Sequence, residues 1–316
     1  MTKGASFKMT HKEIIANLMG IFPPVVTPFN KRGDIDEGKF CENVRRYAGV
    51  GLSGTVVAGS TGEAPYLTEG ERLKLVELAR DIVRPPELLI AGTGLESTRE
   101  TVRLSREAIA RGADALLILT PNYFKSRMNS TLLVSHFRAV ADSLTRPIII
   151  YNIPQFTGVR MEPSAIALLS RHPNIAGLKE SSGDLKYFRS ILRSVKRNGH
   201  PEFRVFSGAA AIMLDAMRAG AAGGVLGQAN FAPELCVSFY EAFRLNRMKV
   251  ASELQLRLLP LVHKIGILFG VSGIKAALDY CGYHGGPPRP PLVALSAVER
   301  RIVAGAIREA HAGLDL

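Results

Sequence analysis

The sequence predicts an α/β fold, a TIM-type (β/α)8 barrel with a C-terminal helical extension. Short apolar runs recur along the chain with starts 20 to 34 residues apart, which is the length of one βα unit. Several runs are apolar without alternation, as expected for parallel strands that are covered on both faces. The 316 residues also exceed the roughly 250 that such a barrel needs.

Eight strands follow from these runs, in chain order at residues 21–26, 54–58, 88–92, 115–119, 147–151, 175–179, 204–207 and 224–226. The intervening segments are predicted to be helices. Thr68 with Glu71, and Ser97 with Glu100, have the spacing of N-terminal capping boxes, and Gly112 and Gly220 are typical of helix ends.

The chain divides into a basic N-terminal segment (1–18), the barrel (19–232), and the last barrel helix with a C-terminal helical layer (233–316) in the same domain. Beyond residue 233 the pattern is helical, and a last helix is predicted near 297–312. A doubly wound open sheet is the alternative architecture. It would require a glycine fingerprint after an early strand, and GTGLES at 92–97 lacks the third glycine.

Composition excludes several classes of function. The net charge is +12, but the basic residues alternate with acids, and the one basic cluster, at 189–197, has no interleaved aromatic residues, so no nucleic-acid partner is expected. Three distant cysteines and the lack of an apolar signal core or membrane-length run predict a cytoplasmic protein without a membrane partner. The histidines lack metal-ligand spacing; His172 and His284 are expected to be structural.

Polar residues at the carboxyl ends of the predicted strands are candidates for the active site. Lys179 ends the sixth strand, and burial of its amine would favour the neutral form that attacks ketones, which suggests a Schiff base with a 2-oxo acid. Tyr151 ends the preceding strand and can shuttle protons. Ser60 and Thr61, in GSTGE, offer hydroxyls and backbone N–H groups for a carboxylate.

Each of these residues also has a plainer interpretation. Lys179 could reach solvent or pair with Glu180, Tyr151 could be a core residue with a satisfied hydroxyl, and GSTGE could be an ordinary turn.

The order GSTGE, TPNY, YNIPxxTG, GLKESSGD resembles the N-acetylneuraminate lyase and dihydrodipicolinate synthase family of lysine-dependent aldolases over residues 19–314. The resemblance implies a barrel with a C-terminal helical extension, assembled as a dimer or a tetramer of dimers. It implies no metal and no organic cofactor, because the substrate is held as a lysine imine.

The resemblance also assigns roles. Lys179 matches the Schiff-base lysine, Tyr151 the proton-shuttling tyrosine, and Ser60 the hydroxyl that links it to a second tyrosine. That second tyrosine matches Tyr123, which in the family crosses the dimer interface. The remaining matches concern substrate binding: Thr61 holds the pyruvate carboxylate, and Gly208 and Leu226 line the pocket.

Departures from the family pattern bear on the substrate. Phe156 stands where dihydrodipicolinate synthases carry an arginine for the second substrate's carboxylate, and a phenyl ring cannot replace a guanidinium. Residues 209–211 are alanines, where sialic acid lyases place acidic groups. The segments at 91–98, 170–179 and 282–296 are most similar to 4-hydroxy-2-oxoglutarate aldolases, which predicts cleavage of a 4-hydroxy-2-oxo acid to pyruvate and an aldehyde.

Other functions stay open at this point. One is dihydrodipicolinate synthesis, a second is a dehydratase or aldolase acting on a 2-keto-3-deoxy sugar acid, and a third is a non-catalytic barrel that binds sugar acids.

Overall fold

The computed structural model describes residues 9–312 of the chain. It contains one parallel sheet with the order β1-β8-β7-β6-β5-β4-β3-β2. The strands are β1 Gly20–Phe22, β2 Gly54–Val57, β3 Leu88–Gly92, β4 Ala115–Leu119, β5 Ile148–Asn152, β6 Ile175–Glu180, β7 Arg204–Ser207 and β8 Gly223–Val225. The helices are α1 His11–Asn17, α2 Glu37–Tyr47, α3 Glu69–Arg80, α4 Thr98–Ala110, α5 Ser130–Asp142, α6 Pro154–Thr157, α7 Pro163–Leu169, α8 Leu185–Asn198, α9 Met213–Ala219, α10 Pro233–Arg244, α11 Met248–Leu261, α12 Leu268–Tyr280 and α13 Ala297–His311.

The sheet closes into a barrel between β1 and β2, where Pro24 bridges to Val56. The predicted fold class is therefore confirmed. The first strand is shorter than the predicted 21–26, because Pro23 and Pro24 have no N–H to donate to a neighbouring strand. A buried side chain replaces part of the ladder: Asn230 accepts from Val26 N–H at 3.1 Å and donates to the Pro24 carbonyl at 2.9 Å.

Apolar side chains form two clusters, one inside the barrel and one between the strands and the outer helices. The barrel interior contains Val56, Ile90, Leu117 and Phe206. Helix α1 covers the amino-terminal end of the barrel, and its Ile14 belongs to the same interior cluster. Residues 1–8 of the proposed N-terminal segment lie outside the described residues, as do 313–316 at the other end.

Capping residues and glycines in the sequence predicted several helix ends correctly. Thr68 and Glu71 form a reciprocal capping box at α3, and Ser97 accepts from the N–H of Glu100 at α4. Gly220 ends α9 in the left-handed conformation, with φ 111°. These are the positions where a polar side chain or a glycine satisfies the free backbone groups of a helix terminus.

The last barrel helix, α10, is followed by the C-terminal layer of helices α11 to α13. Helices α11 and α12 are joined by a π-helical segment, Val262–Ile267, and the backbone breaks at Gly270. By length and composition this stretch, Met248–Tyr280, could cross a membrane, but half of its most apolar window is buried within the fold, as in a core helix. His172 pairs with Asp142 at 2.8 Å and His284 pairs with Glu42 at 2.6 Å, so both hold surface segments together.

Candidate active site

Lys179 and Tyr151 lie side by side at the carboxyl ends of β6 and β5. They are direct partners in the parallel register, and each is 4% exposed. The Lys179 Nζ lies 4.2 Å from the centroid of the Tyr151 ring. A phenol in this position can exchange protons with a molecule that is bound to the amine.

Lys179 has no acidic partner in the described part of the chain, where no carboxylate oxygen lies within 4.0 Å of its Nζ. Glu180 is fully buried and is engaged elsewhere: it accepts from the Ser182 N–H at 2.8 Å and from Asn152 Nδ2 at 3.4 Å. Burial raises the pKa of Glu180, which the hydrogen bond from Ser182 opposes. The interpretation of Lys179 as a partner of Glu180 is therefore wrong.

Ser60 extends the site toward β2. Its Oγ lies 3.4 Å from the Tyr151 hydroxyl, and both residues line a cavity of about 60 Å³ together with Leu117 and Leu119. Thr61 follows in the same turn and is half-buried. The Tyr151 hydroxyl thus has a second hydroxyl within hydrogen-bonding distance, at the long end of the range.

Gly208 lies beside Lys179, because it follows the neighbouring strand β7, whose Phe206 pairs with Lys179 in the sheet. A methyl group built on Gly208 would lie 1.8 Å from Ser181 Oγ and 3.1 Å from Lys179 Cε. Ser181 is buried, and its hydroxyl has no hydrogen-bond partner among the described residues. Ser181 is a polar neighbour of the amine that the sequence analysis did not single out, although it lies two residues after Lys179.

The structure does not bring the Leu226 side chain to this group. Leu226 is fully buried and belongs to the cluster between the strands and the outer helices. Val225, one residue earlier, faces the barrel interior, because neighbouring residues of a strand point to opposite faces.

Two aromatic candidates are exposed. Tyr123 is 78% exposed, and its ring packs edge to face on Phe124 at 5.0 Å. The loop is held by Glu96, which accepts from the Tyr123 N–H at 2.8 Å. Phe156, in α6, is 72% exposed. Within one described chain no hydrogen bond joins Tyr123 to Ser60 or Tyr151, so the chain by itself does not assemble all the predicted catalytic residues.

The structure contains a second buried lysine that the sequence did not indicate as a candidate. Lys275, in α12, is 1% exposed and forms an ion pair with Glu63, the last residue of GSTGE. The signal that could have found it is a single charge within an otherwise apolar helical segment, GVSGIKAAL. Lys275 has a carboxylate partner and Lys179 has none within the described residues, so only Lys179 combines burial with an uncompensated amine.

The described residues contain no group of three or more His, Cys, Asp or Glu side chains that could hold a metal ion. The fold and the site together define a (β/α)8-barrel protein with a buried, unpaired lysine at the carboxyl ends of its strands, where barrel enzymes have their active sites.

Comparison with known proteins identifies the family. Residues 17–310 match the model of the dihydrodipicolinate synthetase family, and the chain belongs to that family. A 4-hydroxy-tetrahydrodipicolinate synthase of Methanothrix thermoacetophila is 38% identical over 88% of this chain and 92% of the relative. A probable mitochondrial 4-hydroxy-2-oxoglutarate aldolase of Emericella nidulans is 37% identical over 92% of this chain and 93% of the relative.

A solved structure has the same fold. YagE, a prophage protein of E. coli K12 solved in complex with pyruvate, superposes with a TM-score of 0.87 at 29% identity, covering 93% of this chain and 98% of the other. Membership of this family of lyases and synthases confirms the family resemblance of the four motifs.

Proposed function

We propose that the protein cleaves 4-hydroxy-2-oxo acids reversibly into pyruvate and an aldehyde, and that 4-hydroxy-2-oxoglutarate, which yields pyruvate and glyoxylate, is its substrate. The observation that carries the proposal is the buried Lys179 amine, whose Nζ lies 4.2 Å from the centroid of the Tyr151 ring and has no carboxylate partner in the described part of the chain. The fungal relative named a 4-hydroxy-2-oxoglutarate aldolase supports the choice of substrate.

The chemistry uses only side chains and water. The neutral Lys179 amine attacks the C2 carbonyl, the Tyr151 phenol gives its proton to the departing hydroxyl, water leaves, and a protonated imine forms. The Tyr151 phenolate then takes the proton of the C4 hydroxyl, the C3–C4 bond breaks, and its electron pair moves into the imine to give an enamine and the aldehyde. Tyr151 passes that proton to C3 of the enamine, and it regains a proton when hydrolysis of the imine releases pyruvate and restores the amine. No metal or organic cofactor takes part in this scheme.

The other predicted residues have supporting roles in the proposal. Ser60 connects the Tyr151 hydroxyl to a second phenol, and Thr61 with the backbone of GSTGE binds the pyruvate carboxylate. Gly208 and the backbone of Leu226 shape the wall of the pocket, and Phe156 lies on the side of the aldehyde.

Tyr123 is proposed to complete the site of a partner subunit in a homodimer or homotetramer. Exposed aromatic pairs such as Tyr123 and Phe124 are enriched in protein interfaces. The site would then be complete only in the dimer.

The cytoplasm remains the predicted location, and the name of the fungal relative raises the mitochondrion as the alternative. Expression with a C-terminal fluorescent tag distinguishes the two.

Dihydrodipicolinate synthesis is the second candidate, because the archaeal relative carries that name. Phe156 argues against it, since this position lacks the guanidinium that would grip the second carboxylate. The guanidinium of nearby Arg160 is engaged: it pairs with Asp184 at 2.8 Å and lies 3.9 Å from the centroid of the Tyr187 ring.

A substrate panel tests these assignments. The purified protein is given 4-hydroxy-2-oxoglutarate, a 2-keto-3-deoxy sugar acid, or pyruvate with aspartate semialdehyde, and kcat/KM is ranked from product analysis. We expect the highest value with 4-hydroxy-2-oxoglutarate, with one aldehyde formed per pyruvate. A higher value with aspartate semialdehyde would make the protein a synthase. A 2-oxo product without an aldehyde would make it a dehydratase, and no turnover with any substrate would leave a binding protein.

Phe156→Arg is measured beside the parent, with Val293→Arg as the matched control because Val293 is similarly exposed, at 75%, in the loop before α13. A guanidinium at 156 should raise kcat/KM for aspartate semialdehyde by about tenfold or more, because a hydrogen bond to a charged group contributes about 1.5–3 kcal/mol. An equal change in both variants would mean that Phe156 does not face the second substrate.

A further inference from the structure

The GSTGE turn is tied to the C-terminal layer through a buried charge. Glu63 is fully buried and pairs with Lys275 of α12. Lys275 also donates to the Pro287 carbonyl at 2.9 Å, and its Nζ lies 4.4 Å from the centroid of the Phe29 ring. The Lys275 ammonium therefore contacts one carboxylate, one backbone carbonyl and one aromatic ring.

The other oxygen of Glu63 holds a second segment of the layer. Its Oε2 accepts from the backbone N–H of Arg289 at 2.8 Å. The Arg289 guanidinium in turn donates to both carboxylate oxygens of Glu71 in α3, at 2.9 and 2.6 Å. One buried carboxylate thus receives contacts from α12 and from the loop before α13.

Glu63 also determines the shape of the turn that presents Ser60. Its backbone has φ 59° and ψ 33°, the left-handed region that residues other than glycine rarely adopt and that surrounding contacts must hold in place. Its N–H donates to the Ser60 carbonyl at 3.0 Å, and Thr27 donates to the Gly62 carbonyl at 2.7 Å.

Stability alone is a weak reason for this arrangement. A buried ion pair loses the hydration of both charges, and apolar residues of similar volume are often as stabilising or better. Burial lowers the pKa of Lys275, and the neighbouring Glu63 carboxylate opposes that shift. What the pair supplies is a defined position for the turn.

We propose that Glu63, held by Lys275 and Arg289, is a positioning residue for the proton-transfer chain. It fixes the turn so that the Ser60 hydroxyl reaches the Tyr151 hydroxyl. This inference rests on the proposed function of Tyr151. The Ser60–Tyr151 distance is 3.4 Å, so a displacement of the turn by a few tenths of an ångström separates the two hydroxyls beyond hydrogen-bonding distance.

The test compares Glu63→Gln, Lys275→Met and the double variant with the parent. Lys264→Met is the matched control, because Lys264 pairs with Glu309 at 2.5 Å in the same layer but is half exposed. Two reactions are measured with saturating pyruvate: labelling of Lys179 by borohydride, which reports the imine, and exchange of the pyruvate methyl protons with deuterium from the solvent, which reports proton transfer.

We expect deuterium exchange to fall roughly ten- to hundredfold in both single variants, while Lys179 is still labelled to the parent extent. The double variant removes both charges, so it should recover thermal stability relative to the single variants but not the exchange rate. The Lys264→Met control should exchange at the parent rate.

Recovery of exchange to within twofold of the parent in the double variant would overturn the proposal, because the pair would then be only structural. Equal loss in Lys264→Met would overturn it as well. If the buried variants do not fold, Arg289→Lys replaces them, because it keeps the backbone N–H that donates to Glu63. This variant should slow deuterium exchange by roughly two- to fivefold. Exchange at the parent rate in Arg289→Lys would then count against the proposal. Failure of the parent to become labelled would contradict the proposed function instead.

Discussion

Replacing Gly208 by alanine should disturb the site from the side opposite Tyr151. The new methyl carbon would lie 1.8 Å from Ser181 Oγ, 2.8 Å from Ser181 Cβ and 3.1 Å from Lys179 Cε. Unstrained carbon atoms lie about 3.5–4.0 Å apart, so Ser181 must move by about an ångström and Lys179 by several tenths. Such overpacking costs about 1–3 kcal/mol of folding free energy.

The activity should fall as well, because a shift of about 1 Å at a reacting group costs up to about a hundredfold in rate. For the smaller shift of Lys179 we expect the rate of imine formation to fall roughly three- to tenfold. The free energy of unfolding is measured by urea denaturation, and imine formation by the rate of borohydride-trapped labelling with pyruvate.

The double variant Gly208→Ala/Ser181→Gly separates the two effects. Removing the Ser181 side chain eliminates its two short contacts, so stability should rise relative to Gly208→Ala alone. The 3.1 Å contact with Lys179 Cε remains, so imine formation should stay slow. A Gly208→Ala protein with parent stability and parent labelling rate would refute the placement of Gly208 beside the lysine.

Three further predictions concern other parts of the molecule. Tyr151→Phe should slow aldol cleavage by about two to four orders of magnitude while Lys179 is still labelled, and a near-normal rate would remove Tyr151 from proton transfer. Equal mixing and reassembly of Lys179→Ala and Tyr123→Ala subunits should restore about a quarter of the parent activity, since half of the dimers gain one intact site. No activity would place Tyr123 in its own subunit's site, and about half of the parent activity would place Tyr123 outside the mechanism. Burial lowers the pKa of His136 to about 4, below the 6.5 of an exposed histidine. Because the unfolded chain therefore binds this proton more tightly, His136 leaves the free energy of unfolding unaffected above pH 6.5 and lowers it as the pH falls toward 4. The loss should reach roughly 3 kcal/mol in urea unfolding and should be smaller in His136→Gln, whereas equal pH dependence in both proteins would contradict a neutral buried His136.

The sequence predicted the strands well because a parallel barrel strand is a local apolar run. Strands β3, β4 and β7 have the predicted bounds, and β5 is displaced by one residue. The main discrepancy is β1, where two prolines end the ladder and Asn230, distant in sequence, supplies the missing contacts. A run of apolar residues does not reveal such a distant partner.

The same limit applies to the site. The site residues at strand ends could be predicted because a barrel brings the carboxyl ends of its strands together. Tyr151 and Lys179 are direct partners in the parallel register, as expected for two residues that end neighbouring strands. The direction of a side chain depends on strand parity near the end, which is why Leu226 was expected at the pocket but packs outward. Glu63 and Lys275 are 212 positions apart, and no periodicity connects them.

The covalent chemistry of Lys179 can be tested most directly by treating the protein with pyruvate and borohydride, digesting it, and locating the added mass. We expect modification of the peptide that contains Lys179 and none at Lys275, the other buried lysine, whose amine is paired with Glu63. An unmodified Lys179 under conditions that label a lysine-dependent aldolase, or modification at Lys275 instead, would contradict this expectation.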